Sequence, residues 1–198
     1  MFHNIKKEDL WTIPNLMTYL RIILIPFFIY FYFKRQMTAT LVVVALSALS
    51  DLLDGWVART FNMVTELGTA LDPLADKLNQ AALLFCAAEG EPILMAVFIT
   101  HVLKEIVTGF TGMWVLRETG HFYPSKWYGK ALTWVLYITG ALVLIARAYL
   151  PGGTVMWIGG FCLAFLLYCF IRYEVRYVRI VRAFKSGGIE AAQAQADC

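Results

Sequence analysis

Six long apolar runs, separated by short polar stretches, divide the chain. They cover about residues 13–33, 37–50, 70–88, 93–116, 131–149 and 155–171. Apolar runs of this kind are typical of helices that cross a membrane, because roughly 20 apolar residues are needed to span the hydrocarbon core of a bilayer. The pattern therefore predicts an all-α, polytopic membrane protein with six transmembrane helices.

The two ends of the chain differ from these runs. Residues 1–12 begin polar and become amphipathic, which predicts a short interfacial helix at the N-terminus. After the last run, four arginines recur every three or four residues and form a basic helical stripe, namely Arg172, Arg176, Arg179 and Arg182. Such a stripe is typical of a surface that binds anionic lipid headgroups. The small and polar residues of 186–198 predict a disordered tail.

Composition agrees with a membrane protein. Of the 198 residues, 60% are hydrophobic and only 16% are charged, which excludes an ordinary soluble protein and fits a single membrane domain over 1–198. The cysteines are Cys86, Cys162, Cys169 and Cys198. They form no C-x-x-C pair and lie mostly in apolar runs, so we expect neither a disulfide nor a zinc site. We also expect no cleavable signal peptide, because the first apolar run is long enough to span.

The distribution of charge predicts the orientation. Six spans place both termini on one side, where the loop cations are Lys6, Lys7, Arg59, Arg117, Lys126, Lys130 and the arginines of the tail. The opposite loops hold Lys34, Arg35 and Arg147 beside Glu89 and Glu91. By the positive-inside rule, we expect a multi-pass protein of the inner membrane with cytoplasmic termini. Membrane lipids are expected partners and nucleic acid is not.

Four aspartates lie between the second and third runs. The sequence reads D-L-L-D-G-W-V-A-R, then eight residues, then G-T-A-L-D-P-L-A-D. Asp51 and Asp54 are three residues apart and Asp72 and Asp76 are four apart, so each pair shares one face of a helix. Any two of these acids could be solvated residues at helix ends. Four converging carboxylates instead require cations, and oxygen ligands suit Mg²⁺, Mn²⁺ or Ca²⁺.

The whole segment carries a family resemblance. With Gly55, Ala58, Arg59 and Gly68 in register, it matches D-x2-D-G-x2-A-R-x8-G-x3-D-x3-D at every fixed position. This pattern resembles the signature of the CDP-alcohol phosphotransferase family. The resemblance implies a metal-dependent transfer of a phosphoalcohol group from a CDP-linked donor, with loss of CMP. The active site then lies on the cytoplasmic side of the membrane.

The resemblance also implies roles for these residues. Two divalent ions, Mg²⁺ or Mn²⁺, are held by the four aspartates, and Asp76 is in addition placed to take the proton from the acceptor hydroxyl. The residues that bind the CDP part of the donor are Asp51, Gly55, Ala58, Arg59 and Gly68. The same resemblance implies a homodimer. Thr108, Gly109 and Gly112 in the fourth run are small enough to pack against a second copy, or else within one protomer.

A polar stripe interrupts the first apolar run. Asn15, Thr18 and Arg21 recur every three residues, so on a helix they share one face, which we expect to meet a polar cavity near the aspartates. For Arg21 alone, a side chain that extends to the membrane interface is the alternative. The N-x-x-T-x-x-R spacing is common in the phosphatidyltransferase branch of the resembled family.

Basic residues of the second half are candidates for binding a phosphate on the acceptor. They are Lys104, Arg117, Lys126 and Lys130, with Arg21 and Arg176 as further candidates. The stretches K-E-I-V-T-G and G-K-A-L-T resemble those of bacterial phosphatidylglycerophosphate synthases. This resemblance implies transfer of a phosphatidyl group from CDP-diacylglycerol to glycerol 3-phosphate. Lys130 could instead be an ordinary interfacial lysine.

Alternatives remain open within and outside this family. Another alcohol acceptor would make the protein a CMP-forming cardiolipin synthase or a phosphatidylinositol-phosphate synthase. A divalent-cation transporter is an alternative of a different class, because acids in membrane helices also mark ion paths. In the fourth run, His101 and Glu105 are spaced as metal ligands could be. We expect instead a polar network of Lys104 and Glu105, with His101 as a core residue.

Overall fold

Six α helices account for nearly all of the described chain, and the described residues contain no strand. The computed structural model describes residues 12–60, 66–121, 123, 126–146 and 153–197, with the backbone alone at 13, 14, 48, 51–60, 66–70, 145, 146 and 197. The helices are α1 (Ile13–Phe33), α2 (Met37–Thr60), α3 (Glu66–Ala87), α4 (Pro92–Thr119), α5 (Trp127–Ala146) and α6 (Thr154–Asp197). The all-α prediction is confirmed. The predicted interfacial segment lies outside the described residues, apart from Thr12.

The helices follow the apolar runs but several extend beyond them. α1 has the predicted bounds, whereas α2 continues beyond its apolar run, through Asp51 and Asp54, and ends at Thr60. α3 begins at Glu66, so Gly68 lies in its first turn. The reason is that an apolar run marks the part of a helix suited to lipid, while backbone hydrogen bonds continue into polar sequence.

The structure of the tail differs from the disorder that the sequence predicted. Instead of disorder after Ser186, the structure has helix up to Asp197, interrupted by a non-helical conformation at Gly188 (φ 73°, ψ −158°). Ala192 and Ala196 are buried against Ile180 and other apolar residues of the same cluster. Small side chains that look unconstrained in sequence therefore become ordered because they fit against an apolar surface.

Three of the helices are long and apolar enough to cross a membrane among the residues that were described. They are Asn15–Phe33, Pro92–Thr119 and Thr154–Ala196, and Met37–Ser47 is a shorter apolar helix. Large apolar side chains face outward, such as Phe110 and Trp157. An outward apolar surface suits hydrocarbon, which supports a membrane protein, while the number of six spans stays a prediction.

The chain forms two compact units, Met1–Cys86 and Ala87–Cys198. In the first unit α1 packs along α2, and the hydroxyl of Ser50 donates a hydrogen bond to the carbonyl of Met17 at 3.4 Å. The rings of Phe33 and Phe85 also join α1 to α3, with centroids 5.9 Å apart. The first unit therefore holds together the polar stripe of α1 and the aspartates of α3.

In the second unit α6 packs against both α4 and α5. α4 ends at Thr119 and is capped by Gly120, whose left-handed conformation (φ 70°) is one that glycine adopts without strain. Where α6 meets the start of α4, a Cβ atom on Gly159 would lie only 2.9 Å from Cγ2 of Ile93. Close helix packing at this point therefore depends on a glycine.

Candidate functional site

The polar stripe of α1 faces two aspartates of the family signature. Asn15, Thr18 and Arg21 are each only 1% exposed. The hydroxyl of Thr18 donates a hydrogen bond of 2.7 Å to Oδ1 of Asp72. One turn further on, Nη1 of Arg21 lies 3.6 Å from Oδ1 of Asp76. Arg21 therefore does not extend to the membrane interface but contributes a buried positive charge beside Asp76.

The two contacts define how α1 and α3 meet. Moving from Thr18 to Arg21 along α1 corresponds to moving from Asp72 to Asp76 along α3. Both steps go towards the C-terminus, so the two helices run in the same direction where they touch. Steps of three and four residues are each about one helical turn, roughly 5 Å. Successive turns of α1 therefore contact successive turns of α3, through Thr18 with Asp72 and Arg21 with Asp76.

The carboxylates of Asp72 and Asp76 are open on their other side. Asp72 is exposed and the side chain of Asp76 is 51% exposed. Two anionic oxygen donors one turn apart on an accessible face are a suitable part of a site for Mg²⁺ or Mn²⁺, which prefer oxygen ligands. The residues present therefore fit the divalent ions that the family resemblance implies.

The remaining signature residues lie at the end of α2 and the start of α3. Asp51, Asp54, Gly55, Ala58 and Arg59 belong to the continuous helix α2, and Gly68 lies in α3. Their side chains are outside the described part of the structure, so the convergence of all four aspartates stays a prediction. Within the described residues, no group of three or more potential metal-binding side chains occurs. Of the four predicted ligands, only Asp72 and Asp76 have described side chains.

Lys104 and Glu105 form the predicted polar network inside α4. Nζ of Lys104 lies 2.7 Å from Oε1 of Glu105 and 5.5 Å from the centre of the Tyr173 ring. Lys104 is buried, and so is His101 one turn before it. A buried ammonium group that already has a carboxylate partner is a weak candidate for binding a phosphate. The role of Lys104 towards the acceptor stays a prediction.

A basic cavity of about 240 Å³ gathers cations that are distant in the sequence. Its lining residues, which define the basic cavity, are Lys126, Tyr128, Arg172, Val175, Arg176, Arg179 and Gln195. Of the four predicted acceptor-binding residues, only Lys126 is among them. Arg117 and Lys130 are exposed, at the end of α4 and on α5. Arg176, a further candidate from the sequence, also lines the cavity, and the structure adds Arg172 and Arg179, which were predicted only as part of a lipid-binding stripe.

The sequence did contain a signal for this arrangement. Arg172, Arg176 and Arg179 have the spacing of one helical face, but the pattern did not reveal that Lys126 lies opposite them. Within the basic cavity, Nη2 of Arg176 donates a hydrogen bond of 2.9 Å to the carbonyl of Ala196. Burial raises the pKa of the Tyr128 phenol above its ordinary value, against the lowering effect of Arg176 and Arg172. Tyr128 is therefore a hydrogen-bond donor at neutral pH.

The small residues of α4 mostly face its own unit. The hydroxyl of Thr108 lies 3.3 Å from Oε1 of Glu174 on α6, and a Cβ atom on Gly112 would lie 3.6 Å from the hydroxyl oxygen of Tyr177. These two residues therefore pack within the protomer, the alternative noted above. A Cβ atom on Gly109 would meet nothing within 4 Å. The homodimer itself stays a prediction.

Comparison with known proteins gives the same family as the signature. A family model described as CDP-alcohol phosphatidyltransferase matches residues 11–168. The chain is 32% identical over 139 residues to the CDP-diacylglycerol–glycerol-3-phosphate 3-phosphatidyltransferase of Aquifex aeolicus (strain VF5), covering 69% of this chain and 78% of that protein. It is 34% identical over 153 residues to the protein of the same name from Pseudomonas fluorescens, covering 74% and 76%.

A second kind of relative is matched over a shorter stretch. The chain is 36% identical over 95 residues to a cardiolipin synthase (CMP-forming) / mitochondrial hydrolase fusion protein of Schizosaccharomyces pombe (strain 972 / ATCC 24843). That match covers 47% of this chain but spans only 16% of the length of the fusion protein. Since the family model covers most of the chain, including the aspartate signature, the protein belongs to the CDP-alcohol phosphatidyltransferase family.

Proposed function

We propose that this protein is an integral membrane phosphatidyltransferase that transfers the phosphatidyl group of CDP-diacylglycerol to glycerol 3-phosphate and releases CMP. The product is phosphatidylglycerophosphate, a precursor in phospholipid biosynthesis. The observation that carries the proposal is the placement of Asp72 and Asp76, two signature aspartates, on one accessible face of α3 against the polar stripe of α1. Relatives named for this reaction match 69% and 74% of the chain.

The chemistry requires an oriented hydroxyl and a group that accepts its proton. The acceptor oxygen attacks the phosphorus atom that carries diacylglycerol, and a new P–O bond forms. The P–O bond to the CMP phosphate breaks, and CMP leaves with the electron pair. Asp76 takes the hydroxyl proton, because its half-exposed carboxylate is accessible to the acceptor while Arg21 holds it on one side.

Two divalent ions, Mg²⁺ or Mn²⁺, complete the site in this proposal. Asp51, Asp54, Asp72 and Asp76 would hold them, and the exposed oxygens of the described pair fit this role. Bound ions would neutralise the pyrophosphate of the donor and the charge on departing CMP. The family signature further assigns Asp51, Gly55, Ala58, Arg59 and Gly68 to the CDP part of the donor.

We propose the basic cavity as a binding site for a phosphate group such as that of glycerol 3-phosphate. Lys126 and the three arginines on α6 supply positive charge. One guanidinium group can donate two parallel hydrogen bonds to the oxygens of a phosphate. Tyr128 adds a neutral donor to the same cavity. A phosphomonoester therefore suits this cavity better than an uncharged alcohol does. Lys104, Arg117 and Lys130 remain candidates from the sequence.

A CMP-forming cardiolipin synthase is the second candidate, favoured by the match to the fusion protein. Its acceptor would be a phospholipid with a free hydroxyl instead of a small phosphomonoester. A phosphatidylinositol-phosphate synthase would use an inositol phosphate. A divalent-cation transporter is the candidate outside the family chemistry, and uptake of Mn²⁺ into liposomes would distinguish it from a transferase.

We further propose a location and an assembly for the enzyme. The charge distribution of the loops favours the inner membrane, with the termini and the site on the cytoplasmic side. The donor and glycerol 3-phosphate would then reach the site from the cytosol and the inner leaflet. The proposed assembly is a homodimer. Of Thr108, Gly109 and Gly112 on α4, Gly109 has room to contact a second copy, because a Cβ atom there would meet nothing within 4 Å.

Release of CMP from CDP-diacylglycerol tests the proposal. The purified protein in detergent is given Mg²⁺ or Mn²⁺ with glycerol 3-phosphate, phosphatidylglycerol or an inositol phosphate, and CMP and lipid products are measured by mass spectrometry. We expect rapid release with glycerol 3-phosphate, and loss of it in Asp72→Asn. Release with phosphatidylglycerol alone would identify a cardiolipin synthase. Absence of release with every acceptor, in a folded protein, would contradict the proposal.

A further inference from the structure

The polar stripe of α1 contacts the signature without belonging to it. Thr18 and Arg21 lie outside the aspartate signature, yet each of them contacts a different aspartate of α3. Both are 1% exposed, and Arg21 is among the largest fully buried side chains of the described chain. Packing of the core does not by itself explain why these buried polar side chains contact exposed carboxylates.

We propose that Thr18 and Arg21 are positioning residues, which fix the orientation of the Asp72 and Asp76 carboxylates for the reaction. This inference rests on the proposed function, in which these carboxylates bind divalent ions and Asp76 also takes a proton. Residues that orient the ligands of a metal are commonly worth about 10–100-fold in metal affinity or activity. The polar stripe would then belong to the functional site.

Thr18 is suited to fix a carboxylate. Its hydroxyl has a single proton, and at 2.7 Å this proton is donated to Oδ1 of Asp72. A hydrogen bond to a charged acceptor is about twice as strong as a neutral one. Threonine in a helix often donates instead to a carbonyl of its own helix, and its side chain has few allowed rotamers. The hydrogen bond from a side chain with few rotamers therefore restrains the Asp72 carboxylate.

The contact of Arg21 with Asp76 is asymmetric. A buried guanidinium needs a partner, because an unpaired charge is costly away from water. Asp76 has no such need, since its side chain is 51% exposed and water can solvate it. The stability of Asp76 therefore does not explain why an arginine is buried at 3.6 Å from it. A positive charge fixed beside Asp76 does explain it, because it attracts the carboxylate towards α1.

A purely structural tie between α1 and α3 is the competing explanation, and it makes different predictions. If the contacts only held the helices together, their removal would lower thermal stability and leave the metal affinity and kcat of the folded protein unchanged. If they position the carboxylates, metal affinity and kcat fall in protein that remains folded. The measurements must therefore separate folding from function.

The first experiment uses Thr18→Val, which keeps the shape and removes the hydroxyl, and Thr18→Ser, which restores it. Thr40→Val in α2 is the matched control, because Thr40 is also buried and its hydroxyl donates to the carbonyl of Gln36. Full-length protein in detergent is examined for Mn²⁺ affinity by paramagnetic resonance, for kcat and KM, and for thermal midpoint without metal.

We expect Thr18→Val to weaken Mn²⁺ binding or lower kcat by about 10–100-fold. We expect Thr18→Ser to recover most of this loss and Thr40→Val to match the wild type. Normal Mn²⁺ affinity and kcat in folded Thr18→Val would overturn the inference for Thr18. If Thr18→Val does not fold, Thr18→Ala removes the hydroxyl without adding volume, and the same measurements decide.

Arg21→Lys provides an independent test. Lysine keeps the positive charge but lacks the planar fork of the guanidinium, so it holds a carboxylate less firmly. We expect a lower kcat with a thermal midpoint near that of the wild type. Unchanged kcat and Mn²⁺ affinity would remove Arg21 from the positioning role. The Mn²⁺ affinities also distinguish the two proposals, because they test positioning even if no acceptor supports release of CMP.

Discussion

Two adjacent glycines of α6, Gly159 and Gly160, provide a test of how closely α6 packs against α4. A Cβ atom on Gly159 would lie 2.9 and 3.0 Å from Cγ2 and Cγ1 of Ile93, and 3.2 Å from Cδ2 of Leu94. A Cβ atom on Gly160 would meet nothing within 4 Å. Ordinary contacts between carbon atoms are about 3.5–4.0 Å long. Alanine therefore fits at residue 160 and overlaps α4 at residue 159.

The expected magnitude follows from comparing the two substitutions. Either change to alanine gains helix propensity, by up to about 1 kcal/mol. Gly159→Ala also forces atoms into a packed contact, which typically costs about 1–3 kcal/mol. Ile93 yields little because a β-branched side chain has few rotamers, and Leu94 is fully buried. Since the propensity gain is common to both, Gly160→Ala should be the more stable variant by about 1–3 kcal/mol.

Thermal unfolding in one detergent tests this difference. In a chain of this size 1 kcal/mol corresponds to roughly 2–4 °C in the midpoint. We expect Gly159→Ala to unfold several degrees below Gly160→Ala, which should equal or exceed the wild type. Equal midpoints for the two variants, or a higher one for Gly159→Ala, would refute the close approach of α6 to the start of α4.

Three further predictions concern the site. Asp72→Asn should abolish release of CMP while the thermal midpoint stays near that of the wild type, because Asp72 is exposed. Asp76→Asn should lower kcat by about 10²–10⁴-fold, as expected for loss of a base. An unchanged kcat in folded Asp76→Asn would contradict the role of Asp76 as the base. Lys126→Ala should raise KM for glycerol 3-phosphate more than Lys130→Ala does, because only Lys126 lines the basic cavity. A larger increase of this KM in Lys130→Ala, measured by steady-state kinetics, would instead indicate that the acceptor binds near Lys130.

Several features follow from the sequence because they depend on neighbouring residues. The length of the first apolar run predicted both ends of α1, and the spacing of Asp72 and Asp76 predicted a shared face of one helix. The aspartate signature likewise led to the family, because its spacing is visible without any knowledge of the fold. Helix periodicity and the length needed to cross a bilayer are local properties, so a linear pattern contains them.

Other features were decided by tertiary structure. Nothing in the polar stripe indicates that Thr18 pairs with Asp72, 54 residues later, and nothing near Lys126 indicates the arginines of the basic cavity. The end of α6 is the clearest case, since small polar residues predicted disorder but Ala192 is buried against Ile180. Which faces of two helices meet depends on shape and burial summed over distant segments. A linear pattern shows which residues share a face, whereas only packing determines what that face contacts.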